Sequence, residues 1–330
     1  MIRTVGHIDG REVREARLES GAARVAVLSY GAVIRDWRVA AAGREVPCVL
    51  GFPDVAAYPA HSKSFGIIAG RVANRIAGAR FPLNGEIVQL QPNEGRTHLH
   101  GGPIGLGKRI WEMEADGAGV LLRYDSPDGE MGYPGRVLFE VRLRLDGPRL
   151  AFEMRGAPDR PTPINLAQHN YYNLNGQGDT RGHRLRIAAS RYTPVDAELI
   201  PTGEMASVAG MHLDFRAPAP VDPAGDGIDL NLVLDERDTR QEAAVLASPE
   251  SGLRLSLFTD QPGLQLFNAP RMEIAVPGHD GARYGAFGGI CLEPQHFPDS
   301  PNKPDWASIL ATPERPYVQR LAVEIGPGTL

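Results

Sequence analysis

The chain is poor in cysteine and in lysine, and both shortages limit its function. Its 330 residues contain two cysteines, Cys48 and Cys291. Both lie in apolar runs without CxxC or zinc-ligand spacing, so we expect buried free thiols. Lys63, Lys108 and Lys303 are the only lysines, and the formal net charge is -5. Since the arginines are scattered, the chain lacks the basic surface that nucleic-acid binding requires, and we expect no nucleic-acid partner.

Long apolar runs and helical patterns are also missing. No window approaches the length of a membrane span, and residues 1–9 have no apolar stretch of the kind found in signal peptides. We therefore expect a cytoplasmic protein without a membrane partner. No 11-residue window shows a convincing helical stripe. Glycine (38) and proline (28) are abundant, and they break the chain into short pieces.

What the chain does contain is strand-like patterning. Apolar and polar residues alternate with period 2 in several runs, as in half-buried strands. Turn residues separate neighbouring runs, at Gly31 and at 146–148, and the second turn predicts a hairpin. The runs are 25–30, 32–39, 137–145, 150–154, 253–257 and 321–325.

These runs predict an all-β fold, and one large antiparallel β-sandwich fits them best. The best candidate for a domain boundary is the proline- and glycine-rich stretch 217–227. Strands continue on both sides of it without a change in composition. We therefore expect a single domain over residues 1–330.

One stretch joins a buried strand to an isolated carboxylate. Residues 290–292 are apolar and read as a buried strand that ends on Glu293, because Pro294 cannot donate to a sheet ladder. A carboxylate between an apolar strand and a stiff loop suits proton transfer, since partial burial shifts its pKa. The structural alternative is a glutamate at a strand end that forms a salt bridge.

A second stretch offers groups that suit a polyhydroxylated ligand. Asn74 and Arg75 lie between Gly70 and Gly78, where the backbone can approach a ligand closely. Arginine supplies planar donors, and asparagine both donates and accepts hydrogen bonds. The structural alternative is an arginine that holds a loop by binding backbone carbonyls.

His98 and His100 have the spacing of a metal-ligand pair. In an extended chain their side chains would project from the same face. The next glutamate is Glu112, too far along the chain for the pattern of metal-binding β-barrels. A metal site therefore remains only an alternative here.

The richest segment is 162–174, in which His169 lies among amides and aromatic residues with almost no formal charge. Histidine is the side chain best able to transfer a proton near neutral pH. A core histidine with a neighbouring hydrogen-bond partner is the structural alternative.

Further along, Asp229 lies between apolar residues and Gln265 lies on a short strand. Each of these two alone is more often structural.

Several of these segments occur in one order along the chain, and together they resemble a known family. The similarity runs from about Leu28 to the C-terminus. The chain resembles the aldose 1-epimerase (galactose mutarotase) family. That resemblance implies a galactose mutarotase-like β-supersandwich that acts on a free aldose such as D-galactose or D-glucose, with no cofactor and no metal. The motifs are GRVANRI, LHGG, INLAQHNYYNL, YTPVDAELIPTGE, DFR, PGLQ and CLEPQHFPDSPN.

The resemblance also implies roles for particular residues. Glu293 is expected to be the general base, His169 the general acid, and His100 a second histidine near the ring oxygen. The residues expected to bind sugar hydroxyls are Asn74, Arg75, Asp229 and Gln265.

Some positions depart from the family pattern. The family often has threonine and phenylalanine where this chain has Asn170 and Tyr172. It often has a histidine and an aromatic residue where this chain has Leu230 and Leu232. After the binding glutamine it often has two aromatic residues and a hydroxyl residue, where this chain has Leu-Phe-Asn at 266–268. These differences concern sugar preference more than the reaction.

Three alternatives remain open from the sequence. The fold could serve a sugar-binding protein without catalysis, although the retained acid and base argue against that. It could serve a hexose-6-phosphate 1-epimerase, which needs several cations near C6; beyond Arg75 the candidates are Arg109 and Arg271. It could be a metal-dependent isomerase or oxygenase that uses His98 and His100. We expect the protein to be a monomer or a homodimer.

Overall fold

The structure is a computed structural model, and it describes residues 1–41, 43–222 and 224–330. Short strands dominate it, as the alternation of apolar residues predicts. In chain order the strands are β1 (Ile2–Ile8), β2 (Arg11–Ser20), β3 (Ala23–Leu28), β4 (Ile34–Ala41), β5 (Arg44–Pro47), β6 (Ile68–Ala69), β7 (Arg75–Ile76), β8 (Arg80–Leu83), β9 (Glu86–Gln89), β10 (His98–Leu99), β11 (Glu112–Asp116), β12 (Gly119–Ser126), β13 (Val137–Asp146), β14 (Arg149–Pro158), β15 (Thr162–Pro163), β16 (Ala167–Gln168), β17 (Tyr171–Tyr172), β18 (Arg184–Ile187), β19 (Ala189–Tyr192), β20 (Ala206–Ser207), β21 (Ala219–Pro220), β22 (Asp229–Leu234), β23 (Ala244–Ala247), β24 (Leu253–Thr259), β25 (Gly263–Phe267), β26 (Ile290–Gln295), β27 (Leu310–Ala311) and β28 (Tyr317–Pro327).

In the part of the chain that the structure describes, helical structure is limited to single turns. The one α-helix of the described residues, α1, spans Tyr58–His61. The remaining turns are 3₁₀ helices at Val55–Ala57, Ala77–Ala79, Leu106–Lys108, Glu130–Gly132, His279–Gly281 and Ser300–Asn302. None of the helices in the described residues is long and apolar enough to cross a membrane.

The strands form three larger antiparallel sheets and several two-stranded ones. The first five strands form a meander in the order β1-β2-β3-β4-β5. A nine-stranded sheet has the order β11-β12-β13-β14-β28-β24-β23-β18-β21, and a six-stranded sheet has the order β17-β26-β25-β22-β19-β20. The two-stranded sheets include the pairs β7–β10 and β6–β16.

The hairpins predicted from local patterning are confirmed. Strand β13 pairs with β14 from Val137↔Pro158 to Asp146↔Arg149, and its side chains alternate between buried and more exposed positions. Strand β3 pairs with β4 around Gly31, whose φ of 63° lies in the left-handed region that glycine tolerates.

One apolar core joins the three larger sheets. Trp37 of β4, Phe152 of β14 and Leu264 of β25 are almost completely buried and belong to the same cluster. Packing of sheet faces against one another is the defining feature of a β-sandwich, so the predicted fold class is confirmed. The predicted free thiols are also confirmed, since Cys48 and Cys291 are both buried and unpaired.

The candidate boundary at 217–227 does not interrupt the fold. Within it, β21 adds to the edge of the nine-stranded sheet by pairing with β18. The Asp222 carboxylate then accepts hydrogen bonds from the backbone N–H groups of Gly225 and Gly227, both at 2.9 Å. Pro223 lies outside the described residues.

The predicted end of the strand at Glu293 is wrong. Strand β26 continues through Pro294 to Gln295, and Pro294 pairs with Leu264 of β25. The carbonyl of Pro294 accepts a hydrogen bond from Gln319 Nε2 (2.9 Å), so the polar edge of this residue points away from the β25 ladder. Partner strand β17 pairs only with Ile290 and Cys291, and the missing proline N–H therefore costs no ladder bond.

Candidate active site

The six-stranded sheet presents a row of polar side chains at its centre. Gln265 of β25 pairs directly with Glu293 on one side and with Asn231 on the other. Directly paired residues in antiparallel strands project from the same face. The adjoining row, built in the same way, contains Asp229 and Phe267. The sheet therefore brings together carboxylates and an amide that are far apart in sequence.

Two short strand pairs bring histidines to this face. Strand β16 pairs with β6, and the backbone of His169 is fixed just beyond that pair by hydrogen bonds with Ile67 and Gly66, both at 2.9 Å. Strand β10 pairs with β7, which sets His100 beside Asn74. His100 N–H donates to the Asn74 carbonyl at 3.0 Å, and Asn74 N–H donates to His100 Nδ1 at 3.1 Å.

The structure brings all the predicted site residues around one cavity of about 280 Å³. Both predicted catalytic groups are buried, and the exposed fractions of Glu293 and His169 are 2% and 5%. The residues that line this cavity are Lys63, Ser64, Asn74, Arg75, Leu99, His100, His169, Tyr171, Asp229, Gln265, Phe267 and Glu293.

Glu293 and His169 lie within reach of a single small group. His169 Nε2 is 3.5 Å from Glu293 Oε2. Burial raises the pKa of the Glu293 carboxyl well above its ordinary value, and the neighbouring Asp229 raises it further, while Arg75 lowers it. Burial lowers the pKa of His169 to about 4. Burial therefore favours the form of the pair in which Glu293 is protonated and His169 is neutral, so that both groups are uncharged.

His100 is held as a neutral donor beside His169. The two rings are 5.1 Å apart and nearly perpendicular. Burial lowers the pKa of His100 well below its ordinary value, and the His169 ring lowers it further. Since His100 Nδ1 accepts the Asn74 N–H, the proton of the neutral ring is on Nε2.

The cavity wall also carries a network of arginine, carboxylate and amide groups. Arg75 binds both carboxylate oxygens of Glu94, with Nε–Oε2 and Nη2–Oε1 distances of 2.6 and 3.0 Å. Its Nη1 is 3.9 Å from Asp229 Oδ2. Gln265 Nε2 donates to Asp229 Oδ1 at 2.6 Å. Donors and acceptors in fixed positions can bind several sugar hydroxyls at once.

The sequence left open that Arg75 holds a loop by binding backbone carbonyls. In the structure Arg71 has that role, and Arg75 does not. Its guanidinium donates to the backbone carbonyls of Gly135 (2.8 Å), Pro127 (2.7 Å) and Ser126 (3.1 Å). Arg71 therefore anchors the loop, and Arg75 in the same segment is directed into the cavity.

The predicted shared face for His98 and His100 is wrong. His100 has a φ of 52°, so the chain is not extended there and the two rings diverge. His98 lies in the core, where Nδ1 binds the Gln91 carbonyl (2.6 Å) and Nε2 binds the Tyr133 hydroxyl (2.8 Å). This observation removes the reason for a metal site on these two histidines.

A different trio has the spacing of metal ligands. His169, Cys291 and Glu293 place their ligand atoms within 4.8 Å of one another. Burial raises the pKa of the Cys291 thiol well above its ordinary value, and the charge of Glu293 raises it further. Without a bound cation, a thiolate beside a carboxylate is disfavoured in this interior.

Comparison with known proteins agrees with this geometry. The aldose 1-epimerase family model matches residues 14–324. The chain belongs to the aldose 1-epimerase family. It is 37% identical to the galactose mutarotase of Mus musculus over 316 residues, which covers 93% of this chain and 92% of that protein. It is 34% identical to the aldose 1-epimerase of Escherichia coli K12 over 313 residues, covering 90% of each.

Solved structures of family members have the same fold. An aldose epimerase homologue from C. elegans superposes with a TM-score of 0.89 at 26% identity, covering 96% of this chain and 100% of that one. The galactose 1-epimerase of Lactobacillus acidophilus superposes with a TM-score of 0.85 at 26% identity, covering 100% and 99%. The β-supersandwich that the sequence motifs imply is confirmed.

Sequence reasoning missed several residues around the cavity of this family member. Tyr171 stacks on His169 with ring centroids 5.2 Å apart, and its hydroxyl donates to the Lys63 carbonyl at 2.7 Å. Its position two residues after His169 was the available signal. Phe267 and Glu94 gave no signal, because only strand pairing and loop packing bring them to the site.

A larger cavity of about 750 Å³ adjoins the first one. The two share Lys63, Tyr171, Asp229 and Phe267, so the candidate site opens into a wider cleft. Arg271, one of the candidate phosphate-binding arginines, lines this larger cavity together with Asp226. Arg109, the other candidate, lines neither cavity and pairs with Glu130 at 2.7 Å.

Proposed function

We propose that this protein is an aldose 1-epimerase that interconverts the α and β anomers of free aldoses such as D-galactose or D-glucose. The observation that carries the proposal is the buried Glu293–His169 pair, 3.5 Å apart, at a cavity lined by hydroxyl-binding groups. The names of the family members support it. We further propose that residues 1–330 form one catalytic domain.

The reaction begins with ring opening. Ionised Glu293 takes the proton of the C1 hydroxyl while protonated His169 gives a proton to the ring oxygen, and the bond between C1 and the ring oxygen breaks. Both reacting oxygens are bonded to C1, so an acid and a base this close together can serve them simultaneously. The products are an open-chain aldehyde, a protonated Glu293 and a neutral His169.

Ring closure is the reverse of opening. After rotation about C1–C2, neutral His169 takes the proton of the C5 hydroxyl as its oxygen attacks the other face of the aldehyde. Glu293 returns a proton to O1, and the pair regains its starting form. Burial favours the uncharged pair, which is the form that accompanies the open-chain sugar. His100, a neutral Nε2–H donor, helps to orient the ring oxygen.

The remaining groups hold the sugar while C1 turns. Asn74, Arg75, Asp229 and Gln265 bind the hydroxyls from C2 to C6. The uncharged open-chain intermediate demands no oxyanion hole, and the proposed reaction uses no metal and no cofactor.

Polarimetry of freshly dissolved α-D-galactose and α-D-glucose tests this function. The wild type should reach the equilibrium rotation much faster than buffer alone, and EDTA should leave its rate unchanged. Glu293→Gln and His169→Asn should each lower kcat by about 10²–10⁴-fold, the usual contribution of a positioned proton-transfer group.

His183→Asn is the matched control for His169→Asn. His183 is also buried, and burial lowers its pKa to about 4 as well, but it does not line the cavity. This variant should keep its activity once circular dichroism shows it to be folded. If the wild type only matches the spontaneous rate on every free aldose, the proposal fails.

Hexose-6-phosphate epimerisation is a weaker candidate. Lys63 and Arg271 could attract a phosphate in the larger cavity, but Asp226 and Asp229 line the same space and offset their charge. A higher kcat/KM on glucose 6-phosphate than on glucose would favour this candidate. A sugar-binding protein without catalysis would have no use for the paired acid and base.

A further inference from the structure

The polar face of the six-stranded sheet continues beyond the cavity into the interior. Next to the row of Glu293, Gln265 and Asn231 lies a third row, in which Gln295 of β26 pairs with Gly263 of β25. The exposed fractions of Asn231 and Gln295 are 1% and 0%, and neither residue lines the cavity. Two buried amides therefore lie on the same face of the sheet as the proposed catalytic carboxylate, Gln295 in the next row and Asn231 beyond Gln265.

These inner amides are short of protein partners. Within residues 1–41, 43–222 and 224–330, neither the amide nitrogen nor the amide oxygen of Gln295 makes a hydrogen bond, and neither do Asn231 Oδ1, Gln265 Oε1 and Glu293 Oε2. Asn231 is held at its other end, where Nδ2 donates to Thr193 Oγ1 at 3.3 Å. Each buried polar group without a partner lowers the stability of the fold by about 1–3 kcal/mol. Several of them on one face of the sheet therefore indicate that a small polar ligand binds there.

Gly263 makes room for these amides. A Cβ at this position would lie 2.6 Å from Asn231 Oδ1 and 2.9 Å from the Phe297 ring. Because glycine lacks that atom, the Asn231 carboxamide can lie over the backbone that separates it from Gln295. Phe297 packs with Val233 and Trp306 in an apolar cluster that borders this region. Unpartnered buried polar atoms bordered by apolar side chains are typical of an internal water site.

We propose that Asn231, Gln265 and Gln295 bind internal water beside Glu293, and that this water hydrogen-bonds to the Glu293 carboxylate. Gln295 is then a positioning residue that acts on Glu293 through water. The water stabilises the ionised carboxylate, which is the form that accepts the sugar proton. The effect on turnover rests on the proposed epimerase function, but the water site itself does not.

A crystal structure of the wild-type protein, at a resolution that shows ordered water, tests the site. We expect water within hydrogen-bonding distance of the Gln295 amide, and also of Asn231 or Glu293. A Gln295 amide whose nitrogen and oxygen bind only protein groups would overturn the proposal. This test needs no variant.

Gln295→Met tests the positioning role, because methionine has a similar length but cannot bind water strongly. If removing the water raises the pKa of Glu293 by about one unit, kcat falls about tenfold and the alkaline limb of the pH profile moves up by about one unit. KM should stay unchanged, because Gln295 does not line the cavity. Gln261→Met is the matched control, since Gln261 is also buried and lies outside both cavities.

The two proposals fail in different ways. A folded Gln295→Met with the wild-type kcat and pH profile would overturn the positioning role and leave the epimerase function standing. A wild type that is inactive on every aldose would end the epimerase proposal, and the crystal structure alone would then decide the water site. If Gln295→Met does not fold, the wild-type structure again decides.

Discussion

At the scale of single residues, the Glu293–His169 pair makes a prediction about pH. Below about pH 4 His169 gains a proton while Glu293 is still protonated, so the base is lost. Above the raised pKa of Glu293 the pair loses its only proton, so the acid is lost. The plot of kcat against pH should therefore be a broad bell.

Initial mutarotation rates between pH 3.5 and pH 10, corrected for the spontaneous reaction, check this profile. The His169→Asn variant should lose the acid limb of the pH profile, and the Glu293→Gln variant should lose the alkaline limb. A rate that is flat over the whole range would contradict the assignment of acid and base to these residues.

Two departures from the family pattern contact each other. Asn170 Nδ2 donates to the Tyr172 hydroxyl at 3.2 Å, and both side chains are fully buried. The tyrosine hydroxyl would otherwise be an unsatisfied polar group in the core. We interpret the two residues as a matched pair, because each supplies the hydrogen-bond partner that the other needs in the core.

A double-mutant cycle tests this coupling. Asn170→Thr and Tyr172→Phe should each lower the free energy of unfolding by about 1–2 kcal/mol, because each leaves one buried partner unpaired. The loss in the double variant should be about 1 kcal/mol smaller than the sum of the losses in the two single variants. Urea unfolding measures all four proteins, and strict additivity would show that the pair is not coupled.

At the scale of secondary-structure elements, the turn after β10 positions His100. Gly101 has a φ of 84°, and a Cβ there would overlap with the Gly70 carbonyl oxygen. A side chain at this position would therefore separate the two loops that carry Asn74 and His100. The glycine is needed both for its backbone conformation and for this close approach.

Gly101→Ala should lower the free energy of unfolding by about 3 kcal/mol, because overpacking adds to the cost of the left-handed backbone. Gly117→Ala is the matched control: its φ is 60°, but no atom lies within 4 Å of the added Cβ. That control should lose only about 1 kcal/mol. Chemical denaturation compares the two, and equal losses would contradict the close approach.

Local patterning predicted some elements well and others poorly. The β13–β14 hairpin follows from alternation and its turn, because its partners are adjacent in sequence. The pairing of β14 with β28 joins residues 150 and 323, and no local pattern encodes that register. The strand end at Glu293 was wrong for the same reason, since the effect of Pro294 depends on which neighbouring strand its backbone faces.

The candidate site was predicted from motifs rather than from geometry. Glu293 and His169 lie in recognisable segments, and both line the cavity. Glu94 has no such segment, although it binds Arg75 in two places. The shared face proposed for His98 and His100 assumed an extended chain, and the left-handed backbone at His100 could not be read from its residue type.

At the scale of the whole molecule, buried neutral histidines should make the fold sensitive to acid. Burial lowers the pKa of His98 and of His183 to about 4, below the ordinary value of 6.5. The unfolded chain therefore binds more protons than the folded one between these values. Stability should be complete above pH 6.5 and should decrease as the pH falls towards 4.

His98→Gln isolates one such contribution. In the wild type His98 should account for a loss of ~2 kcal/mol in the free energy of unfolding between pH 7 and pH 5. Glutamine can still bind the Gln91 carbonyl but does not titrate, so the variant should lose less stability over this interval. Urea unfolding at both pH values measures the difference, and equal losses in the two proteins would contradict a neutral His98.

The most direct test of the central claim follows both anomers and the C1 oxygen in one experiment. Carbon-13 NMR exchange spectroscopy on equilibrated galactose labelled with ¹³C and ¹⁸O at C1 measures interconversion in both directions. We predict that the protein accelerates exchange, that Glu293→Gln abolishes the acceleration, and that ¹⁸O stays on C1 during turnover, because ring opening breaks only the bond to the ring oxygen. No acceleration by the wild type, or loss of ¹⁸O at the catalysed rate, would contradict the account.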